Sequence, residues 1–479
     1  MIHLSGKPRD IVCAYTGETM STVNDASAQD VDDAIQQSAL VYRKHWSGTS
    51  ADERASLLRA LAAKVRENAD ELARLETSNT GKAIRESSQM DVPGTAACLD
   101  YYSTWTDKLY GEVIPHSGEQ ILNYTLKESV GVVGAIVPWN GPLSIGTWKI
   151  GPAVAAGNTI VIKPPELAPL SLLKLGELAL EAGFPPGVIT VLPGDREVGT
   201  LMVQDPRIAA LTFTGSTPVG QQIMRTAAGT LKRLTLECGG KSANIIFADA
   251  DMDKAIESVL FGIFMNQGQV CASGSRLLVQ REVREEFVNR LIDRAARIRV
   301  GDPMDPDTEV GSLISPEHLA KVDACVQRGI EEGAELVAGG SRRRIEGLAD
   351  TFYEPTILTS VSNQSRLGKE EVFGPVLAVM DFDHADDAVE IANDSIYGLV
   401  GNIHTTDLWT AHSVASRLQV GSVFVNQAAV PYARAPFGGR KQTGFGKDLG
   451  RQALDAVTFD KSVVINMTPQ NEHFRWYAQ

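Results

Sequence analysis

At 479 residues the chain is too long for one hydrophobic core, so two or three domains are expected. Its 43% hydrophobic and 22% charged residues are ordinary for a globular protein, and a formal net charge of -14 argues against nucleic acid or an anionic membrane surface as partner. Five single cysteines (13, 98, 238, 271 and 325) argue against a disulfide framework or zinc knuckle and fit a reducing, cytoplasmic compartment.

The first residues hold no apolar core of signal-peptide length, and no run approaches the roughly 20 apolar residues of a membrane span, so neither leader nor anchor is expected. A short extended lead-in is followed by helices. Ser27 with Asp30 predicts a helix start ahead of Val31, Ala34, Ile35, Ala39 and Val41 at helical spacing. Leu57, Leu58, Leu61, Ala62 and Val65 predict a second helix, and a third is expected from about Arg85 to Leu109. Val113–Pro115 and Ile121–Lys127 read as extended segments around a turn at Gly118, a hairpin with little core of its own.

From 131 to 237 short apolar runs alternate with helical stretches. The strands expected are Val132–Val137, Thr159–Ile162, Val188–Leu192, Ala209–Phe213 and Leu234–Leu236, with helices at Leu170–Ala182 and Pro218–Ala228. Such alternation predicts an α/β fold with a Rossmann-like, doubly wound parallel sheet, and ligands bind these sheets at the carboxyl ends of the strands. Trp139 and Asn140, Lys163 and Glu166, Gly215 and Ser216, and Glu237 all fall at those ends. Residues 240 to about 435 repeat the alternation, which predicts a second α/β domain, and the chain from about 436 returns across the first.

Cys271 lies in a loop of small and polar residues, Asn266 to Arg276, between an apolar segment and a strand-like run. Taken alone it reads equally as a thiol presented at a cleft and as a small buried hydrophobe. No histidine adjoins it, and the eight histidines show no metal-ligand spacing such as HExxH. Glu237 alone reads as a strand-end ion-pair partner, and Asn140-Gly141 as a turn dipeptide.

Taken together, Pro138-Trp139-Asn140, Glu237-Cys238-Gly239-Gly240-Lys241-Ser242, Asn266-Gln267-Gly268-Gln269-Val270-Cys271, Glu371-Val372-Phe373-Gly374-Pro375 and Pro436-Phe437-Gly438-Gly439 stand in an order that resembles the NAD(P)-dependent aldehyde dehydrogenase superfamily over almost the whole chain. The resemblance implies that the Cys271 thiolate attacks an aldehyde to form a thiohemiacetal, for which its pKa must be lowered or a base must be near. It implies that Glu237 activates the water that hydrolyses the thioester, with a pKa raised by burial. It implies that the Asn140 amide and the Cys271 N–H stabilise the oxyanion. The division implied is a cofactor-binding domain (1–111 and 131–239, rejoined by 443–457), a catalytic domain (240–442), and a small β oligomerisation arm with tail (112–130 and 458–479).

The cofactor implied is NAD, with NADP possible. No GxGxxG is present, so Gly215 and Ser216 at a helix start are the pyrophosphate candidates. By resemblance Lys163 and Glu166 bond the adenosine ribose, and Glu371 bonds the nicotinamide ribose with Phe373 beside it. Trp139 forms a wall of the passage, and Ile136 is placed with this group. A 2′-phosphate would meet the Glu166 carboxylate, which favours NAD.

The implied substrate tunnel is lined by Gly141, Ile145 and Trp148 on one helix face, by Met265 and Val270, and by Val430, Pro431 and Tyr432. Gly141 stands where many relatives carry an aromatic residue. An apolar lining favours an aliphatic, aromatic or terpenoid aldehyde, whereas an inward Arg434 would favour a semialdehyde. A CoA-acylating finish is disfavoured by Glu237, and a non-catalytic binding role by the presence of Cys271, Glu237 and Asn140. Self-association as a homodimer or homotetramer is expected from the hairpin, its candidate partner strand Lys461–Asn466, and the aromatic tail Phe474–Tyr477.

Overall fold

The computed structural model describes residues 4–117 and 120–467, so the expected turn at Gly118 and the tail Phe474–Tyr477 lie outside the described residues. The first helix, Ala28–Lys44, starts as expected. The Ser27 hydroxyl accepts the Asp30 N–H at 3.2 Å, and the Asp30 carboxylate accepts the Ser27 N–H at 2.8 Å, a capping box that satisfies two otherwise orphaned donors. The second helix, Ala51–Glu67, buries Leu58, Leu61, Ala62 and Val65. A further helix, Ala69–Thr80, gave no apolar periodicity because its buried face carries Glu76, Thr77, Ser78, Asn79 and Thr80. The expected third helix runs through Ile84–Glu86, a π-helical turn at Ser87–Asp91, and Val92–Ser103. It stops short of Leu109 because the Thr104 and Trp105 N–H groups turn back to the Tyr101 and Tyr102 carbonyls.

The first large sheet has six strands in the order Gly444–Phe445, Arg233–Glu237, Ile208–Thr214, Val132–Ile136, Thr159–Lys163, Ile189–Val191. All pair in parallel except Gly444–Phe445, which returns antiparallel to Leu236 and Glu237. The second has seven, ordered Glu335–Ala338, Thr356–Thr359, Val376–Phe382, Arg276–Gln280, Ala243–Ile246, Val400–His404, Ser422–Val425, with only the first pair antiparallel. Helices cover both faces, which is why these strands read as continuous apolar runs.

A short connection, residues 238–242, leads from the end of Arg233–Glu237 in the first sheet into Ala243–Ile246 in the second. The adjacent strand Arg276–Gln280 follows the cysteine loop, and its first N–H donates to the Ser242 carbonyl at 3.1 Å. The Arg276 guanidinium is buried and donates to the carbonyls of Lys241, Ile391 and Ala392 and to the Asn363 amide oxygen, which clamps this junction. Glu237 and Cys271 are therefore both delivered to the seam between the sheets.

Val113–Ile114, Ile121–Ser129 and Thr458–Asn466 form a separate three-stranded antiparallel sheet. Ser462 pairs with Thr125 and Lys461 with Leu126, so the expected strand partner is found within the same chain. Val113, Leu122, Leu126, Val464 and Ile465 on this sheet are exposed.

Candidate active site

The helix Met252–Phe264 ends in a reversal. Asn266 (φ 47°, ψ 37°) and Gln267 (φ 55°, ψ 30°) are left-handed and Gly268 follows at φ 70°. Non-glycine residues held in this region cost on the order of 1–3 kcal/mol each, so surrounding contacts must fix them. A Cβ on Gly268 would stand 2.1 Å from the Gly374 carbonyl oxygen, which ties the loop against Glu371–Pro375.

Cys271 emerges from this reversal half-buried. Its thiol is pushed up to about 12, first by burial and then by the charges of Glu371 and Glu237, against the opposing N–H groups of Ala272 and of Cys271 itself. Of the two routes expected to the thiolate, a lowered pKa is not found, which leaves a nearby base.

Glu237 is buried, and neither carboxylate oxygen has a hydrogen-bond partner among the described residues. Its pKa is raised well above the ordinary range, first by burial and then by Asp448, while Lys149 and Lys447 oppose the shift. Asp448 is itself raised by burial and pairs with buried Lys149. The Lys447 ammonium donates to the Gly438 carbonyl.

The Asn140 amide nitrogen donates to the Gln269 carbonyl at 2.8 Å, which leaves its second N–H free of described partners. The Asn266 amide nitrogen donates to the Asn140 carbonyl at 2.9 Å and to the Gln269 carbonyl at 3.3 Å. Asn140 is thus bound to the loop that presents Cys271.

Glu371 reaches the same junction, where one of its oxygens accepts the Gly240 N–H at 2.9 Å. Burial pushes its carboxyl up to about 7, against Gly240, Lys241 and Lys321. Trp139 meets Phe373 edge-on at 5.2 Å and His318 at 5.3 Å, and His318 Nε2 lies 2.7 Å from the Phe373 carbonyl. Phe373 is held at φ 58°.

Lys163 is buried, with only distant partners, the Pro164 carbonyl at 3.3 Å and Glu166 at 3.5 Å, so its ammonium keeps donor capacity. Burial lowers its pKa. A Cβ on Gly199 would meet Ile136 and Lys163 at 3.5 and 3.6 Å, so the bare backbone there leaves an open space beside both. Exposed Glu166 also faces Arg9 at 4.0 Å. The Gly215 N–H is taken by the Glu237 carbonyl at 3.0 Å, which leaves Ser216 and the start of Thr217–Ala227 as the free anion-binding end. The set of a cationic donor, two carboxylates, a helix start and an aromatic wall fits a dinucleotide.

Cys271 itself packs against one apolar cluster that includes Ile145, Trp148, Val270, Phe424, Ala429, Ala433 and Phe437. Trp148 packs edge-on against Phe437 at 5.8 Å. Gly141 adjoins Ile145, whose Cδ1 a Cβ would meet at 3.4 Å. Ala429 and Ala433 pack against this cluster, and Met265 borders a cavity of about 310 Å³ with Met90, Phe261 and Phe264. Arg434 is exposed and its charge acts on the Tyr101 phenol.

A thiol, a buried carboxylate and an amide donor at the seam of two α/β sheets form a site for acyl chemistry. The model of the "Aldehyde dehydrogenase family" matches residues 3–463. The chain belongs to the aldehyde dehydrogenase family. Retinal dehydrogenase 2 of Mus musculus is 42% identical over 471 residues, covering 98% of this chain and 90% of that protein. The NAD+ complex of an aldehyde dehydrogenase from Bacillus cereus superposes with a TM-score of 0.94 at 40% identity, covering 96% of this chain and 94% of that one. The P. syringae indole-3-acetaldehyde dehydrogenase AldA, solved with NAD+ and IAA, matches with the same TM-score, identity and coverage.

In this aldehyde dehydrogenase family member, Lys149, Asp448, Phe437, His318 and Arg9 escaped the sequence reading. Only Phe437 carried a signal, the motif Pro436-Phe437-Gly438-Gly439. No helix among the described residues is long and apolar enough to cross a membrane.

Proposed function

We propose that this protein oxidises a hydrophobic aldehyde to the free carboxylic acid with NAD. Glu237 carries the reading: a buried carboxyl with no hydrogen-bond partner on either oxygen is the water-activating group that a CoA-acylating finish does not need. The Cys271 thiol loses its proton to solvent water and the sulfur bonds the aldehyde carbon, whose C=O π pair moves onto oxygen. The resulting oxyanion accepts the second N–H of Asn140 and the Cys271 N–H. NAD, when bound, would supply the hydride acceptor for oxidation of this adduct to the thioester. Glu237 then takes a proton from water, the hydroxide adds to the thioester carbon, and the Cys271 thiolate leaves. Lys163, Glu166, Glu371 and Phe373 would hold the cofactor, with Trp139 and Ile136 as its walls and Ser216 at its pyrophosphate.

The apolar cluster of Ile145, Trp148, Val270 and Phe437 supports a hydrophobic substrate. Each buried methylene adds about 0.8 kcal/mol to binding. Relatives named for retinal and indole-3-acetaldehyde support the same class. The test is an aldehyde panel with NAD and NADP in parallel, on the wild type and on Gly141→Phe. Long aliphatic, aromatic or terpenoid aldehydes with NAD should be preferred without CoA, and Gly141→Phe should lose the bulkiest of them selectively. Preference for a charged semialdehyde, or an equal loss on small and large aldehydes, contradicts the substrate assignment.

A further inference from the structure

One half-buried carboxylate outside the reacting groups is spent on a single backbone donor. Both oxygens of Glu86 accept the N–H of Asn266, each at 3.0 Å. Glu86 closes the short helix Ile84–Glu86 ahead of the π-helical turn Ser87–Asp91, far from residue 266 in sequence. Its neighbours are engaged elsewhere. Arg85 faces Glu309 at 3.7 Å, and Lys82 pairs with Asp91 at 2.8 Å and with Glu76 at 3.6 Å. Among the described residues no cation lies in ion-pair reach of Glu86, so its strongest contact is this N–H.

The donor is the first residue of the left-handed reversal, where an asparagine backbone is sparsely populated unless held. The same residue's side chain donates to the Asn140 carbonyl at 2.9 Å, and Asn140 donates in turn to the Gln269 carbonyl at 2.8 Å. Asn266 therefore links Glu86, which holds its backbone N–H, to the Asn140 backbone carbonyl, and its side-chain amide shares the Gln269 carbonyl with the Asn140 amide assigned to the oxyanion.

We infer that Glu86 is a positioning residue for the oxyanion site, fixing the Asn266 reversal and, through it, the Asn140 amide. This rests on the role proposed for Asn140. A purely structural role would lower stability without regard to Asn140. A positioning role makes the two residues act as a unit, and a double-mutant cycle reads this directly.

The experiment measures kcat, the aldehyde and NAD KM values and the iodoacetamide alkylation rate of the thiol in Glu86→Ala, Asn140→Ala and the double variant. Loss of one oxyanion donor costs about 10²–10³ in rate, so Glu86→Ala should lower kcat by a fraction of that, about tenfold. KM values and alkylation should hold, and Glu86→Ala should add nothing further to Asn140→Ala. Glu86→Gln, which keeps one acceptor oxygen, should recover most of the loss; if Glu86→Ala does not fold, the cycle is run with Glu86→Leu, which also lacks an acceptor, and expects the same non-additivity. Equal factors in both backgrounds overturn the inference and leave the Asn140 role intact. An Asn140→Ala enzyme with unchanged kcat overturns both.

Discussion

Cys271 and Glu237 are each held away from the charged form that their proposed chemistry needs. Burial is the first cause in both, and the carboxylates around them deepen it. A raised Glu237 holds its proton to higher pH than an ordinary carboxyl, so base-assisted hydrolysis grows as pH rises through its pKa. Lys447 opposes that shift. Removing its charge in Lys447→Gln should raise the Glu237 pKa further and move the rising limb of the kcat–pH profile to higher pH, with an unchanged plateau. A limb that stays in place or moves to lower pH would show that Lys447 does not act on Glu237. Lys149 is a poorer probe of this field, because its loss strands Asp448 in the interior.

The connection between the two sheets is the element on which the site depends. Its Gly240 N–H holds Glu371, and a Cβ on Gly240 would stand 2.4 Å from the Cys271 carbonyl oxygen. Gly240→Ala must therefore displace either the nucleophile loop or the connection. Misplacement of this order costs about 10² in rate, so kcat/KM should fall about a hundredfold with an unchanged far-UV circular dichroism spectrum. A variant within about threefold of wild type would mean the close approach has no catalytic consequence. Much of this architecture was legible from local chemistry. Ser27 and Asp30 announced their helix, the parallel strands announced themselves as apolar runs, and Cys271, Glu237 and Asn140 stood in ordered motifs. What escaped was set by tertiary contact. Lys149 and Asp448 pair across 299 residues of sequence, and nothing local to either marks it. The helix Ala69–Thr80 hides because polar side chains fill its buried face.

At the scale of the whole molecule, the three-stranded arm leaves apolar side chains such as Val113 and Val464 in solvent on a sheet with open edges. Such edges are stable when covered, so light scattering at dilute concentration should give a dimer or tetramer mass, and a monomer of about 51.6 kDa would contradict this. The two larger sheets instead meet at one seam, where Cys271 packs against the apolar cluster. The central claim is that a thioester on Cys271 links oxidation to Glu237-assisted hydrolysis. The most direct measurement is intact-protein and peptide mass spectrometry of Glu237→Gln quenched after mixing with NAD and a hydrophobic aldehyde. One equivalent of reduced cofactor should appear with an adduct of the aldehyde mass less two hydrogens, on the peptide bearing Cys271. Reduced cofactor without an adduct, or an adduct on any other residue, would contradict it.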